Sequence, residues 1–215
     1  MTRRRLLALA ALATTGMLAS ACSGGSSGTQ SYTDPDRYTK VDLPAEWRVY
    51  AGDDLTGVTG TPFVVEADGI DLPVLSRVVF DGSPMSTTDS LAGAIADADF
   101  PIGSSVVRRI SPQLRDFISR YLLAEVVVPY HNAEQADELI KEDLEIADGY
   151  RGVQLMLAYR DQETAADAGV FLISLTDPDV TRLYQVAVGC SLACFNEHTD
   201  EITSVVDSWL VNTRG

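Results

Sequence analysis

An α+β fold, an antiparallel sheet with flanking helices in an α/β/α sandwich, is predicted for this 215-residue chain by three observations. Three β-rich segments follow one another between Gly152 and Gly189 with turn residues between them. A helix-spaced apolar stripe, Ile202, Val205, Val206, Trp209 and Leu210, comes directly after them and suits a helix laid on a sheet. Strand-like and helix-like segments are segregated along the rest of the chain.

In order, Tyr38 to Leu43 and Trp47 to Tyr50 read as short strands on either side of Pro44, and Gly52 to Gly60 as a turn-rich loop. Pro62 to Glu66 and Pro73 to Phe80 are rich in Val, Leu and Phe and bounded by Gly, Asp and Pro, as strands are. Leu91, Ala94, Ile95 and Ala98 recur at helical spacing, so a helix is expected from Ser86 or Thr87 to about Ala98, stopped by Pro101 and Gly103. Leu114, Phe117, Ile118, Tyr121 and Leu122 mark an amphipathic helix with Arg115, Asp116, Ser119 and Arg120 on its other side. Val126 to Pro129 is extended by β-branching and the proline. Asn132 with Gln135 resembles a capping box opening a helix from Ala133 to about Ile146. Gly152 to Arg160, Gly169 to Thr176 and Arg182 to Gly189 form an antiparallel meander, its last turn written as Asp177-Pro178-Asp179.

The first 21 residues read as an export signal. Arg3, Arg4 and Arg5 precede the apolar run Leu6 to Leu18, which is shorter than the roughly 20 residues a helix needs to span a bilayer. Leu18-Ala19-Ser20-Ala21-Cys22 resembles the bacterial lipobox, in which the cysteine is acylated and the chain cut just before it, although Leu18 stands one position further back than is usual. A plain secretory cut at Ala19-x-Ala21 is the alternative. Ser23 to Gly28 is nearly all Ser and Gly, a tether that an anchored domain requires. Thr2 to Leu7 also resembles a twin-arginine signal, and the sequence leaves twin-arginine and general secretory export open. The expected organisation is therefore a signal over 1–21, lipidated Cys22 and tether over 22–36, and one extracytoplasmic domain over 37–215. Its expected place is the outer face of the cell membrane, with acyl chains on Cys22 as the membrane contact.

Without the signal, 13 Lys and Arg face 31 Asp and Glu, a net charge of −18. Such a surface repels phosphate backbones, which excludes nucleic acid as an expected partner and suits a soluble monomer. Hydrophobic residues make up 46% of the chain, an ordinary globular composition of about one or two domains.

Tyr38-x-x-Val41-Asp42-Leu43-Pro44-x-x-Trp47, the late meander, and the closing helix with Val206-Asp207-Ser208-Trp209 resemble the PsbP-like family. That family includes extrinsic photosystem subunits and actinobacterial lipoproteins of the LpqN type. The resemblance implies an accessory or binding module without catalytic residues, cofactor or metal, acting on a protein partner or small ligand of the cell envelope.

The residues themselves carry little recognisable catalytic chemistry. Gly-x-Ser-x-Gly, Ser-x-x-Lys, His-Glu-x-x-His, Gly-x-Gly-x-x-Gly and calcium-loop patterns are absent from the sequence. Near-neutral acid–base groups are limited to His131, which reads as a turn residue, and His198. An extracytoplasmic hydrolase built on His131 or His198 is the alternative function, and a transporter's solute-binding protein a weaker third. Cys190 and Cys194 are expected to form a disulfide outside the cytoplasm, since zinc would lack a fourth ligand beside them and His198. Arg108, Arg109, Arg115 and Arg120 form the one dense basic stretch after the signal, read either as paired with nearby carboxylates or as a contact for an anionic ligand. Asp97 with Asp99 and Asp177 with Asp179 read as a helix end and a turn, and Trp47 and Trp209 as core residues.

Overall fold

Two antiparallel sheets carry the molecule in a computed structural model that describes residues 28–58, 63, 72–92, 95–115, 136–160 and 166–213. The strands are β1 (Thr29–Thr33), β2 (Thr39–Pro44), β3 (Arg48–Ala51), β4 (Val74–Asp81), β5 (Ile102–Arg109), β6 (Ala136–Glu145), β7 (Arg151–Arg160), β8 (Asp167–Thr176), β9 (Arg182–Ser191) and β10 (Leu210–Val211). Helix α1 (Leu192–Glu197) and helix α2 (Thr199–Ser208) are the only α-helices among the described residues. The small sheet has the order β1-β2-β10 and the large one β3-β4-β5-β9-β8-β7-β6.

This overturns the α/β/α sandwich: the fold is β-rich, with ten strands and two short helices among the described residues. Thr88–Ala92 and Ile95–Asp97 are short 3-10 turns where one helix was expected, with Gly93 between them costing helix stability. The expected helix from Ala133 is strand β6 over its described part. Its Glu, Lys and Ala suit a helix, but ladder pairing with β7 overrides that weak preference. Charge at an open sheet edge also protects it from other chains, so an edge strand and a solvated helix demand similar residues. The helix at Leu114 to Leu122, the extended Val126 to Pro129 and the strand at Pro62 to Glu66 fall, apart from Phe63, Leu114 and Arg115, outside the described residues.

Strand β5 was not anticipated, because Gly103, Ser104 and Ser105 dilute its apolar pattern. Packing explains those small residues. A Cβ on Gly103 would lie 2.3 Å from the Phe80 ring and 2.7 Å from the Ala187 carbonyl. The meander, by contrast, is present as β7, β8 and β9 with unbroken register. Residues Thr29 to Asp34, assigned to the tether, belong to the fold: β1 pairs with β2, and Asp34 is buried.

The main core lies between one face of the large sheet and a layer made by α1, α2 and the small sheet. Phe80, Val107, Tyr184, Val186, Val188 and Phe171 meet Ile202, Val205, Val206 and Trp209 there. Trp47 and Trp209 are both buried, as expected. The opposite face carries Val153, Leu155, Leu157, Val170, Leu172 and Ala187, with Phe63 and Ile95 packed on them. Complete burial of a large apolar side chain contributes about 1.5–3 kcal/mol, so both faces weigh in stability.

A candidate anion-binding cleft

Antiparallel pairing brings the start of β4, the end of β5, the end of β8 and the start of β9 to one end of the large sheet. A cleft of about 310 Å³ opens there, lined by Tyr38, Leu75, Arg109, Ile110, Pro112, Arg115, Thr181 and Arg182. Arg109 and Arg182 are directly opposed residues of adjacent strands. Like charges in such positions repel and destabilise a sheet. The Arg182 guanidinium carbon sits 5.4 Å from the centre of the Tyr38 ring, a cation–π contact.

Behind the cleft, the Asp177 carboxylate shapes the β8–β9 turn. Its Oδ1 accepts from the Thr181 backbone N–H at 2.6 Å and the Arg182 backbone N–H at 3.1 Å, while its Oδ2 accepts from the Thr181 hydroxyl. Val180 is thereby held at φ 52°, a rare conformation for a β-branched residue. Arg37, beside Tyr38, has φ 59°. Two of the four non-glycine residues with positive φ among those described thus flank residues that line the cleft. Each costs of order 1–3 kcal/mol, a strain that collects at functional sites.

Electrostatics beneath the cleft favours Arg182 in its charged form. A hydrogen bond with the Tyr184 hydroxyl raises its pKa first, against desolvation, with Tyr184, Tyr38 and Asp177 adding charge attraction. Buried Tyr150, edge-on to Tyr184 at 5.7 Å, has its pKa pushed up to about 12. Burial is the largest cause, followed by Tyr184 and Asp177, while Arg182 opposes it.

The basic stretch read from the sequence divides in space. Arg108 turns into the sheet, where its Nη1 donates to the Leu72 carbonyl at 3.2 Å, and Arg120 lies outside the described residues. Arg109 and Arg115 line the cleft and make no ion pair among the described residues. Arg182 was missed because no local pattern connects it with Arg109. Strand pairing was the available signal.

The other predicted site residues lie elsewhere. Cys190 and Cys194 are joined by a disulfide with Cα atoms 5.9 Å apart, at the corner from β9 into α1. His198 Nδ1 lies 3.4 Å from Glu201 Oε2, and Glu201 Oε1 accepts from Trp47 Nε1 at 2.7 Å. This trio is a strut between the β2–β3 turn and α2. Asp177 is a turn residue, as expected, whereas Asp97 closes a 3-10 turn rather than a helix. Cys22 and His131 fall outside the described residues. No group of three His, Cys, Asp or Glu side chains with metal-site geometry occurs among the described residues.

No protein-family model matches the sequence, and no curated protein matches it. The fold is similar to that of the Ran-binding protein Mog1p of Saccharomyces cerevisiae, with a TM-score of 0.50 at 7% identity over 86% of this chain and 96% of that one. Cyanobacterial PsbP (CyanoP) from Synechocystis sp. PCC 6803 is also similar, with a TM-score of 0.47 at 18% identity over 92% of this chain and 100% of that one.

Proposed function

We propose that the protein is a non-catalytic binding module held on the outer face of the bacterial cell membrane by acyl chains on Cys22, and that it engages its ligand or partner through the arginine cleft. The cleft carries this reading. Its charged lining among the described residues consists of guanidinium groups, which supply fixed donor forks rather than proton transfer. That chemistry binds and orients an anion without needing to transform it. A fold shared with a Ran-binding protein suits a binding role, but fold alone assigns no activity, and the weight rests on the site.

The test is a survey of anionic and neutral solutes by heteronuclear NMR on the mature chain carrying Cys22→Ala, run beside a broad hydrolase screen. Anion-induced shifts gathered at Arg109, Arg115 and Arg182 are expected. Turnover abolished by His131→Ala or His198→Ala with the fold retained would replace the module by the hydrolase.

A further inference from the structure

The cleft and the point where the tether joins the fold are at opposite ends of the large sheet. Gly28 lies against Ala45, whose backbone N–H donates to the Gly28 carbonyl at 2.7 Å. Ala45 leads into Trp47, and a Cβ on Gly82 would meet the Trp47 ring at 3.0 Å. Gly82 in turn donates to the Pro101 carbonyl at 2.9 Å, just before β5 begins at Ile102. Arg109 is at the other end of the same strand. The seven steps from Ile102 to Arg109, at roughly 3.3 Å each, separate the two ends by about 23 Å. The six steps from Cys22 to Gly28 reach at most about 22 Å when fully stretched, and about 14 Å on average for a flexible chain. An anchor at Cys22 therefore tethers the domain by the end of the sheet opposite the cleft.

The charge in the cleft sets the ligand class. Arg109 and Arg182 repel one another across the ladder, and Arg115 adds a third guanidinium. Asp177, a carboxylate that bears on the charge of Arg182, already accepts from two backbone N–H groups and the Thr181 hydroxyl. One carboxylate ligand would neutralise a single charge. A phosphomonoester brings a charge approaching −2 and three acceptor oxygens, matching the three guanidinium groups, and Tyr38 adds a hydroxyl to the lining.

We propose that Arg109, Arg115 and Arg182 form a site for a soluble phosphomonoester, approached from the side of the domain turned away from the anchoring membrane. This rests on the binding-module reading above.

The test is calorimetric titration of the mature Cys22→Ala chain with glycerol 3-phosphate and, at matched size, glycerate. Glycerol 3-phosphate is expected to bind at least tenfold more tightly than glycerate. Its affinity should rise between pH 5 and pH 7.5 as the phosphate takes its second charge near pH ~6. The described lining of the cleft holds no histidine to mimic that rise, its titratable groups being Tyr38, Arg109, Arg115 and Arg182, with Asp177 and Tyr184 behind. Arg109→Gln and Arg115→Gln should each weaken binding about tenfold, the effect of losing one charge-assisted hydrogen bond. Arg160→Gln, which removes the same charge at the far end of the sheet, should leave it unchanged.

A second arm places the Cys22-anchored chain in phosphatidylcholine vesicles with and without phosphatidic acid, a phosphomonoester lipid. Equal affinity for glycerol 3-phosphate in the two is expected. Competition by phosphatidic acid would overturn the orientation and make the headgroup the source of the ligand. Equal binding of glycerate and glycerol 3-phosphate would overturn the phosphate class while the module reading stands. An Arg160→Gln loss equal to that of Arg109→Gln would overturn the site. No binding of either anion would overturn the site, while the solute survey and the hydrolase screen decide the module reading separately.

Discussion

Asp34 is buried and meets four donors: the backbone N–H groups of Asp36 and Thr39, and the hydroxyls of Thr39 and Ser76. The chain of donors continues outward. Trp209 Nε1 donates to Ser105 Oγ at 3.0 Å, Ser105 lies 3.1 Å from Thr39 Oγ1, and Thr39 donates to the carboxylate at 3.0 Å. This network ties the small sheet to β4 and β5, and four of its donor groups converge on the Asp34 carboxylate. Asp34→Ala is expected to cost about 3 kcal/mol or more, since several buried donors lose their partner at once. Asp34→Asn, which keeps one carbonyl oxygen, should cost less. Urea midpoints of the two variants against the wild type read the difference. Tyr150 gives a pH signature at the same scale. Its folded pKa of about 12 exceeds the ordinary 10.0, so the native state holds the phenolic proton more tightly than the unfolded chain does. The stability this contributes is present below pH 10 and is lost as pH rises from 10 to 12. Tyr150→Phe should flatten the alkaline end of the stability profile, as followed by urea unfolding at successive pH values.

At the level of elements, the Cys190–Cys194 disulfide closes a very short loop where β9 turns into α1, and Ser191 Oγ accepts from the Cys194 N–H as the helix cap. A loop of that size contributes about 2 kcal/mol by restricting the unfolded chain. Reduction should lower the urea midpoint by that amount and leave ligand affinity at the cleft, near the other end of β9, unchanged. Calorimetry with and without reductant checks the second part. The elements also show what periodicity reveals and what it hides. Strands β7 to β9 were legible because apolar residues filled them and Asp177-Pro178 marked a turn. Strand β5 was hidden because a central strand crowded by Phe80 and crossed by the Trp209 hydrogen bond needs small residues that resemble a loop. Strand β6 was misread because its charges answer to solvent at the sheet edge, which a surface helix would also face. Two of the three cleft arginines, Arg109 and Arg115, were visible in the sequence. Arg182 joins them only through β5–β9 pairing, a contact no local window contains.

For the whole molecule, the proposed anchor and the overall charge would act together. The net charge, −18 if the expected signal is removed, keeps copies apart and discourages adhesion to anionic headgroups, so attachment falls to the acyl chains proposed on Cys22. Cys22→Ala should move the protein from the membrane to the soluble fraction, with the domain's urea midpoint unchanged. Fractionation with immunodetection reads the first and urea unfolding the second. A variant as membrane-bound as the wild type would remove the anchor.

The placement of β2 between β1 and β10 bears finally on when the domain can form. Leu210 pairs with Lys40, and the Asn212 N–H donates to the Tyr38 carbonyl, so the last described strand closes on one of the first. A nascent chain that has emerged as far as β9 still lacks α2, Trp209 and β10, which seat the small sheet on the large one. The high contact order of such a closure places folding in the millisecond-to-second range rather than the microsecond range of helical bundles. Completion of the domain then waits until β10 has left the ribosome.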